Sequence, residues 1–194
     1  MKKYIEKYHQ KFIDLINSIR ITDNQGNKLA IFDGIEIVCG VIEKQSHIGG
    51  KMFFIGNGGS AAIASHMAID FWKNGGIQAS SFNDASLLTC ISNDFGYRHV
   101  FEKPIEVFAK EPDIIFAISS SGKSENILRG VQAGRMRGCV IITLSGFNND
   151  NPLSSMGDFN FYVPSLEYGP VEVAHQYVCH YILDAFINKQ VEKK

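Results

Sequence analysis

The spacing of hydrophobic positions changes near residue 50 of the chain. Before that point, apolar side chains recur at the three- and four-residue steps of an amphipathic helix, first over residues 4–19 and then over about 29–45. A polar break at residues 22–27 separates the two runs. The pattern therefore predicts an antiparallel pair of N-terminal helices within residues 1–48.

The first of these helices has an aromatic stripe, which is formed by Tyr4, Tyr8 and Phe12. A stripe of this kind needs an apolar surface to pack against. We therefore expect the helix to contact the rest of the domain or another subunit, and we assign residues 1–48 to oligomerisation.

From residue 51 onward, short apolar runs alternate with helical patterns. Strands are predicted at 52–55, about 77–82, 114–118, 139–144 and 159–163. Helices are predicted at about 60–73, 85–91, 97–109, 124–137 and 170–188. Continuous apolar strands are typical of a parallel sheet that helices cover on both faces. We therefore predict one α/β domain over residues 1–194, in which residues 51–190 form a doubly wound, five-stranded parallel sheet between helices and residues 191–194 fray.

Composition and charge argue against two classes of partner. The 194 residues are 45% hydrophobic and carry a formal net charge of −1, without a basic block. Direct binding to nucleic acid or to an anionic membrane is therefore not expected. The N-terminus also lacks an apolar signal core, and no apolar stretch is long enough to span a bilayer.

The cysteines indicate a reducing compartment. Cys39, Cys90, Cys139 and Cys179 lie far apart in apolar surroundings and form no C-x-x-C pair. This spacing is typical of reduced core thiols and not of a disulfide framework. We therefore expect a cytoplasmic protein.

Two of the predicted strands lead into loops that suit a phosphate group. The strand at 52–55 is followed by the glycine-rich run Gly56-Asn57-Gly58-Gly59-Ser60. The strand at 114–118 is followed by a loop that contains Ser119, Ser120, Ser121 and Ser124. A helix begins after each loop, so backbone N–H groups and the positive end of the helix dipole point towards one place. Hydroxyl donors without a strong fixed cation suit a small phosphorylated metabolite, although either loop alone is also compatible with an ordinary strand-to-helix turn.

Two further groups of polar side chains lie on helices. His66 and Asp70 are four residues apart, so they share one helix face. Glu172, His175 and His180 lie on the last helix. A carboxylate beside a histidine can move protons at neutral pH, and two histidines with two carboxylates can also bind zinc or a similar divalent ion.

Both chemistries compete with structural roles. His66 and His175 could be core or interface histidines, and Glu172 could compensate the dipole of its helix. A single metal ion also meets a geometric difficulty, because Glu172 and His180 are about 12 Å apart along a straight helix. One ion could bind both only if the helix were distorted or if the ligands came from more than one subunit.

These motifs resemble the sugar isomerase (SIS) domain proteins and, within them, the phosphoheptose isomerases. The likeness covers nearly the whole chain. It is carried by the loop at 56–62 with His66 behind it, by Asn93-Asp94-Phe95-Gly96, by the serine loop at 119–124, and by the helix with His175 and His180.

The resemblance implies a homotetramer whose active sites lie at subunit interfaces. It implies phosphate binding by Ser119, Ser120, Ser121 and Ser124. It also implies a sugar site lined by Asn57, Gly58, Gly59, Asn93 and Asp94, to which we add Ser60 of the same loop. Zinc is known in some members, with ligands at the positions of His66, Asp70, Glu172 and His180. The expected catalytic residues are Asp70, Glu172 and His180.

The chain departs from the family pattern where the chemistry would occur. The resemblance leads us to expect Glu at position 70, Gln at position 172 and an acid at position 169, where this chain has Asp70, Glu172 and Gly169. Lys73-Asn74 also stands where an Arg is expected. Asp is one methylene shorter than Glu, and a misplacement of about 1 Å can cost on the order of a hundredfold in rate.

We therefore predict a phosphosugar aldose–ketose isomerase that converts sedoheptulose 7-phosphate to D-glycero-D-manno-heptose 7-phosphate for surface-polysaccharide synthesis. Asp70 or Glu172 would move a proton between C1 and C2 through an enediol, and His180 would act as acid and base on the oxygens. Two alternatives stay open. One is an isomerase of a different sugar phosphate. The other is a non-catalytic tetramer that binds a protein such as a replication initiator, which the altered positions favour and the retained serines and histidines oppose.

Overall fold

A computed structural model describes residues 1–192 of the chain. The helices and strands, in chain order, are α1 (Lys2–Asn17), β1 (Arg20–Asp23), β2 (Lys28–Leu29), α2 (Ile31–His47), β3 (Met52–Gly56), α3 (Gly59–Lys73), β4 (Ala79–Ser81), α4 (Ala85–Phe95), α5 (Glu102–Phe108), β5 (Ile114–Ser119), α6 (Glu125–Met136), β6 (Val140–Ser145), β7 (Phe159–Tyr162) and α7 (Tyr168–Glu192). Short 3₁₀ turns cover Tyr97–His99 and Pro152–Ser155. Of the predicted frayed tail, residues 191 and 192 continue α7, and the last two residues lie outside the described part of the chain.

The strands form a single mixed sheet in the order β2-β1-β7-β6-β5-β3-β4. The five strands that the sequence predicted, β3 to β7, pair with one another in parallel. The sheet has two more strands than predicted, because β1 and β2 form a hairpin that joins the edge of β7 in an antiparallel direction. The hairpin turn is the predicted polar break, where the Asp23 carboxylate accepts hydrogen bonds from the backbone N–H groups of Gln25 and Asn27.

The hairpin changes the predicted arrangement of the N-terminal helices. Because two strands connect α1 to α2, the helices are not joined by a short helical turn, and both pack against α7. The helix α2 approaches β1 closely at Gly34, where an added Cβ would lie 2.6 Å from the Cδ1 atom of Ile21. The prediction of two helices was therefore correct, whereas their direct antiparallel pairing was wrong.

Hydrophobic side chains cover both faces of the parallel strands, as the continuous apolar runs predicted. One core lies under α1, α2, α3 and α7, and it includes Phe54 stacked on Phe116 with ring centroids 4.9 Å apart. The other core lies under α5 and α6, and it includes Phe53 and Ile115. All six residues of β5 are buried, so this strand, the middle one of the five parallel strands, packs against both cores.

Three of the four cysteines match the prediction of core thiols. Cys39, Cys139 and Cys179 are buried, and burial raises the pKa of their thiols to about 11, 12 and 12 respectively. The prediction was wrong for Cys90, which is exposed on α4. That helix has no fully buried residue, and its apolar side chains Leu87, Leu88 and Ile91 are only partly buried against the core. Within residues 1–192, no helix is long and apolar enough to cross a membrane.

Candidate functional site

The glycine-rich loop and the serine loop lie side by side, because β3 and β5 are adjacent parallel strands. Their register pairs Gly56 with Ile118, so both strands reach the same edge of the sheet together. A pocket of about 210 Å³ lies between the two loops. Its lining consists of Asn57, Gly58, Gly59, Ser60, Ile118, Ser119, Ser120, Ser121, Ser124, Tyr168 and Glu172. The structure thus brings together eight of the ten predicted substrate-binding residues.

The serine loop carries hydroxyl groups with different surroundings. The Ser119 hydroxyl accepts a hydrogen bond from the backbone N–H of Gly122 at 3.2 Å, and the Ser121 hydroxyl accepts one from the N–H of Lys123 at 3.3 Å. The Ser120 hydroxyl is buried and has no partner among residues 1–192. A buried hydroxyl without a partner is costly, so a polar ligand in the pocket would satisfy it.

The shape of the serine loop depends on Gly122 and on the loop at 148–155. Gly122 has a positive φ of 61°, and a Cβ there would lie 1.8 Å from the Oδ1 atom of Asn151. Asn151 is itself buried, and its amide donates hydrogen bonds to the carbonyl groups of Gly146 and Asn148. The backbone N–H of Leu153 also donates to the Gly122 carbonyl at 3.1 Å. The serine loop is therefore packed from below by a second ordered loop.

The carboxylate of Glu172 lies at the other side of the pocket, above the first residue of α3. A Cβ built on Gly59 would lie 2.5 Å from the carboxylate carbon and from both of its oxygens. A side chain at position 59 would therefore displace the carboxylate from this place. The N-terminus of a helix favours a negative charge, which explains how an anion is tolerated there.

A second group of polar side chains lies where α3 packs on α7. The Nε2 atom of His66 is 3.3 Å from Asp70 Oδ2 and 3.3 Å from the Nε2 atom of His180. All three ligand atoms fit within 4.8 Å of one another. Two imidazoles and one carboxylate are a protein ligand set found in catalytic zinc sites, which leave a further position open. The donor set therefore fits a divalent ion.

Glu172 is not part of this three-residue group among the described residues. The helix α7 is continuous from Tyr168 to Glu192, so the two turns between Glu172 and His180 keep them apart along one axis. Within one chain, the four predicted metal ligands thus divide into a group of three and a carboxylate in the pocket. The distorted last helix that would have united them is absent from residues 168–192.

His175 does not join either group. It is fully buried, and its Nε2 atom donates a hydrogen bond to the Ser145 carbonyl at 3.1 Å. Burial lowers the pKa of the imidazole to about 4, so the side chain is neutral at physiological pH. His175 is therefore a structural residue of the core. A core histidine was one of the two roles that the sequence left open for it.

Asn93 and Asp94 lie apart from the pocket of this chain. Both are exposed near the end of α4, and the Asn93 amide donates to Asp94 Oδ1 at 2.9 Å. Their role in the sugar site stays a prediction.

Sequence reasoning missed three residues of the site. Tyr168 lines the pocket, and Asn126 and Tyr97 make hydrogen bonds to Asn57. Asn126 could have been found from the sequence, because it is an uncharged amide on the side of α6 where the helical pattern requires burial. Tyr97 gave no signal, because its contact with Asn57 joins residues 40 positions apart.

Comparison with known proteins gives consistent results. The profile of the SIS domain family matches residues 8–146. The chain is 35% identical over 170 residues to a phosphoheptose isomerase of Photorhabdus laumondii, covering 84% of this chain and 87% of that protein. It is 36% identical over 151 residues to a phosphoheptose isomerase of Proteus mirabilis, covering 75% and 78%. The structure of phosphoheptose isomerase from Neisseria gonorrhoeae superposes with a TM-score of 0.82 at 25% identity, covering 95% of this chain and 98% of that one.

The packing beneath the serine loop leads to a prediction for Gly122. The variant Gly122→Ala combines an unfavourable left-handed backbone with a clash against Asn151. Gly26→Ala is a matched control, because Gly26 also has a positive φ, of 80°, but nothing lies within 4 Å of its added Cβ. We expect Gly26→Ala to lower the free energy of unfolding by about 1–2 kcal/mol and Gly122→Ala to lower it further, as measured by urea denaturation. Equal losses in the two variants would contradict the described packing.

Proposed function

We propose a phosphosugar isomerase function for this chain, which belongs to the SIS domain family. The proposed reaction interconverts sedoheptulose 7-phosphate and D-glycero-D-manno-heptose 7-phosphate, an aldose–ketose pair. The observation that carries the proposal is the serine-lined pocket with a carboxylate on its opposite side. The relatives named phosphoheptose isomerase cover most of the chain and support the same substrate class.

The pocket suits a phosphate that acts as an anchor. Within the described part of the chain its lining has no Lys or Arg. It offers the hydroxyls of Ser119, Ser120, Ser121 and Ser124 beside the N-terminus of α6. Neutral donors and a helix dipole can stabilise a phosphate dianion without a cation. Binding at this end of the sugar would hold the reacting carbons in place, so that the energy of phosphate binding contributes to catalysis.

The isomerisation moves one proton between C2 and C1 and adds or removes no atoms. A base takes the C2 proton of the aldose, an enediol forms, and the protonated base returns a proton to C1 while the oxygens exchange a proton. The proton on the base can exchange with solvent before it is returned. We assign this task to Glu172, and the support is that its carboxylate lines the pocket and has no hydrogen-bond partner among residues 1–192. The alternative base is Asp70. Its Oδ2 atom lies 3.3 Å from His66 Nε2, and its Oδ1 atom accepts a hydrogen bond from the Asn74 amide at 3.3 Å. His180 would exchange protons with the sugar oxygens.

A divalent ion, proposed to be zinc, would be held by His66, Asp70 and His180. When bound, such an ion supplies Lewis-acid polarisation of a sugar oxygen. If Glu172 is a fourth ligand, a neighbouring subunit must supply it, because the α7 helix is continuous.

We also propose that the protein is a cytoplasmic homotetramer whose product enters surface-polysaccharide synthesis. The support for assembly is the distribution of exposed apolar side chains. One set lies on α1, where Tyr4 is 70% exposed and Tyr8 43% exposed. Another lies on α3 and α7, the helices of the three-residue group, and includes Ile69, Trp72, Val173 and Tyr177. A partner subunit would cover these faces and shield the group from water.

Turnover of sedoheptulose 7-phosphate is the first test. We expect the protein to form the heptose phosphate and to incorporate deuterium from D₂O at C2, detected by NMR. The double variant Ser121→Ala/Ser124→Ala should raise KM by well over tenfold, since each hydroxyl–anion bond contributes about 1.5–3 kcal/mol. Glu172→Gln should lower kcat, because the amide cannot take the C1 proton of the ketose.

Ser155→Ala is the control, since Ser155 is exposed on a 3₁₀ turn and its hydroxyl bonds only the Pro152 carbonyl among the described residues. If the protein instead turns over another sugar phosphate from a panel, that compound would replace sedoheptulose 7-phosphate as the assigned substrate. Binding without any turnover would favour the non-catalytic tetramer. Unchanged affinity in the serine variant by calorimetry would exclude the phosphate from the serine loop.

Metal content is the second test. Protein purified without chelator, and again after zinc is added and the excess removed, should retain zinc by elemental analysis. His66→Ala should lose it, whereas His47→Ala, at an exposed site on α2, should not. Affinity should fall as the pH drops through the histidine range, because the ligands must be deprotonated. If neither sample retains metal, the three residues form a metal-free acid–base set.

The assembly is the third test. Light scattering at micromolar concentration should give four times the mass of one chain. Tyr8→Glu should shift the distribution towards smaller species, because it places a charge in the apolar face of α1. A monomeric wild-type protein would contradict the tetramer and, with it, a site shared between subunits.

A further inference from the structure

We infer that Asn126 and Tyr97 are positioning residues, which hold the Asn57 side chain so that it offers the ligand a hydrogen-bond donor and no acceptor. The identity of the ligand rests on the proposed function, whereas the geometry that holds Asn57 does not.

Asn57 and Asn126 form a reciprocal pair of amides across the two loops. Asn57 follows β3 and lines the pocket, and Asn126 lies in the first turn of α6 and is 3% exposed. The Asn57 Nδ2 atom donates to Asn126 Oδ1 at 2.9 Å, and the Asn126 Nδ2 atom donates to Asn57 Oδ1 at 2.8 Å. The pair therefore joins the glycine-rich loop to the helix that follows the serine loop.

The orientation of both amides follows from one backbone group. The backbone N–H of Ile127 donates to Asn126 Oδ1 at 3.1 Å, so an oxygen must occupy that end of the Asn126 amide. The other end is then the Asn126 NH₂ group, which requires an oxygen from Asn57. Turning the Asn57 amide over would place two NH₂ groups against each other. The Tyr97 hydroxyl donates to the same Asn57 oxygen at 3.0 Å and reinforces this orientation.

Counting donors and acceptors shows what remains for a ligand. A side-chain amide has two acceptor lone pairs on its oxygen and two N–H donors. Asn126 and Tyr97 use both lone pairs of Asn57, and Asn126 accepts one of its N–H groups. The other N–H has no partner among residues 1–192. Asn57 therefore recognises an acceptor, such as a hydroxyl, carbonyl or phosphate oxygen of a sugar phosphate.

Fixing the donor in advance has a consequence for catalysis. A sugar oxygen gains negative charge as the enediol forms, and a donor that is already oriented stabilises that charge without reorganisation. An amide free to rotate could instead offer its oxygen, which would repel the developing charge. Asn126 and Tyr97 would thus act on the reaction through Asn57.

The test is a double-mutant cycle between Tyr97 and Asn57. Tyr97→Phe removes only a hydroxyl from a ring that is 55% exposed, so folding should be unaffected. We expect it to lower kcat/KM for sedoheptulose 7-phosphate about fivefold in the wild-type background and less than twofold in the Asn57→Ala background. Thr89→Ala is the control, because among the described residues the exposed Thr89 hydroxyl bonds only carbonyl groups of α4. Equal effects in both backgrounds would overturn the inference.

A second readout separates this inference from the proposed function. The side-chain amide signals of Asn57, identified in ¹⁵N NMR spectra by their loss in Asn57→Ala, should shift in Tyr97→Phe and in Asn126→Asp, which keeps the acceptor and removes the donor. Thr89→Ala should leave them unchanged. Unshifted Asn57 signals in Tyr97→Phe would overturn the inference even in an active enzyme. Shifted signals in a protein that turns over no sugar phosphate would support the positioning and contradict only the proposed function.

Discussion

The site depends on the parallel pairing of β3 with β5. This pairing, with Gly56 opposite Ile118, brings the two loops and the N-termini of α3 and α6 to one edge of the sheet. The core fixes the register, because Phe54 and Phe116 lie opposite each other and their rings stack at 4.9 Å. A slip by one residue would turn every side chain of a strand to the other face. The packing that stabilises the fold therefore also sets the width of the pocket.

The last helix supplies the second constraint. It places Glu172 beside the pocket and His180 beside α3, with about 12 Å between them along the axis. A phosphate anchored in the serine loop leaves the opposite end of a sugar to reach towards α3. One rigid element thus sets the spacing between Glu172, the proposed base, and His180, which is proposed to exchange protons with the sugar oxygens. In Tyr97→Phe, by contrast, only one contact with Asn57 changes. That variant therefore alters the orientation of the Asn57 amide without altering the spacing set by α7.

Local pattern was sufficient for much of this arrangement. The apolar runs predicted all five parallel strands, and the helix spacing of His66 and Asp70 predicted their contact. The hairpin was not predictable, because β2 is two residues long and the Asp23 turn resembles any polar loop. Cys90 was assigned to the core because its neighbours are apolar, yet α4 buries none of its residues fully. Spacing along α7 predicted that Glu172 and His180 lie far apart on a straight helix. Which of the two meets His66 and Asp70 depends on how α3 packs on α7, and spacing along the chain does not determine that packing.

The charges of the site explain why neutral donors matter so much in it. The N-termini of α3 and α6 contribute about half a positive charge each, and the carboxylate of Glu172 offsets that total. Among residues 1–192, the pocket lining has no cationic side chain to balance a phosphate. Stabilisation of the ligand must therefore come from hydroxyl and amide donors, whose effect depends on orientation more than on charge. The Ser120 hydroxyl, which has no partner among residues 1–192, and the fixed Asn57 amide meet that requirement in the same way, because each is held by the fold before any ligand arrives. A site of this composition gains selectivity from the direction of its hydrogen bonds, so a residue that merely turns an amide becomes part of substrate recognition.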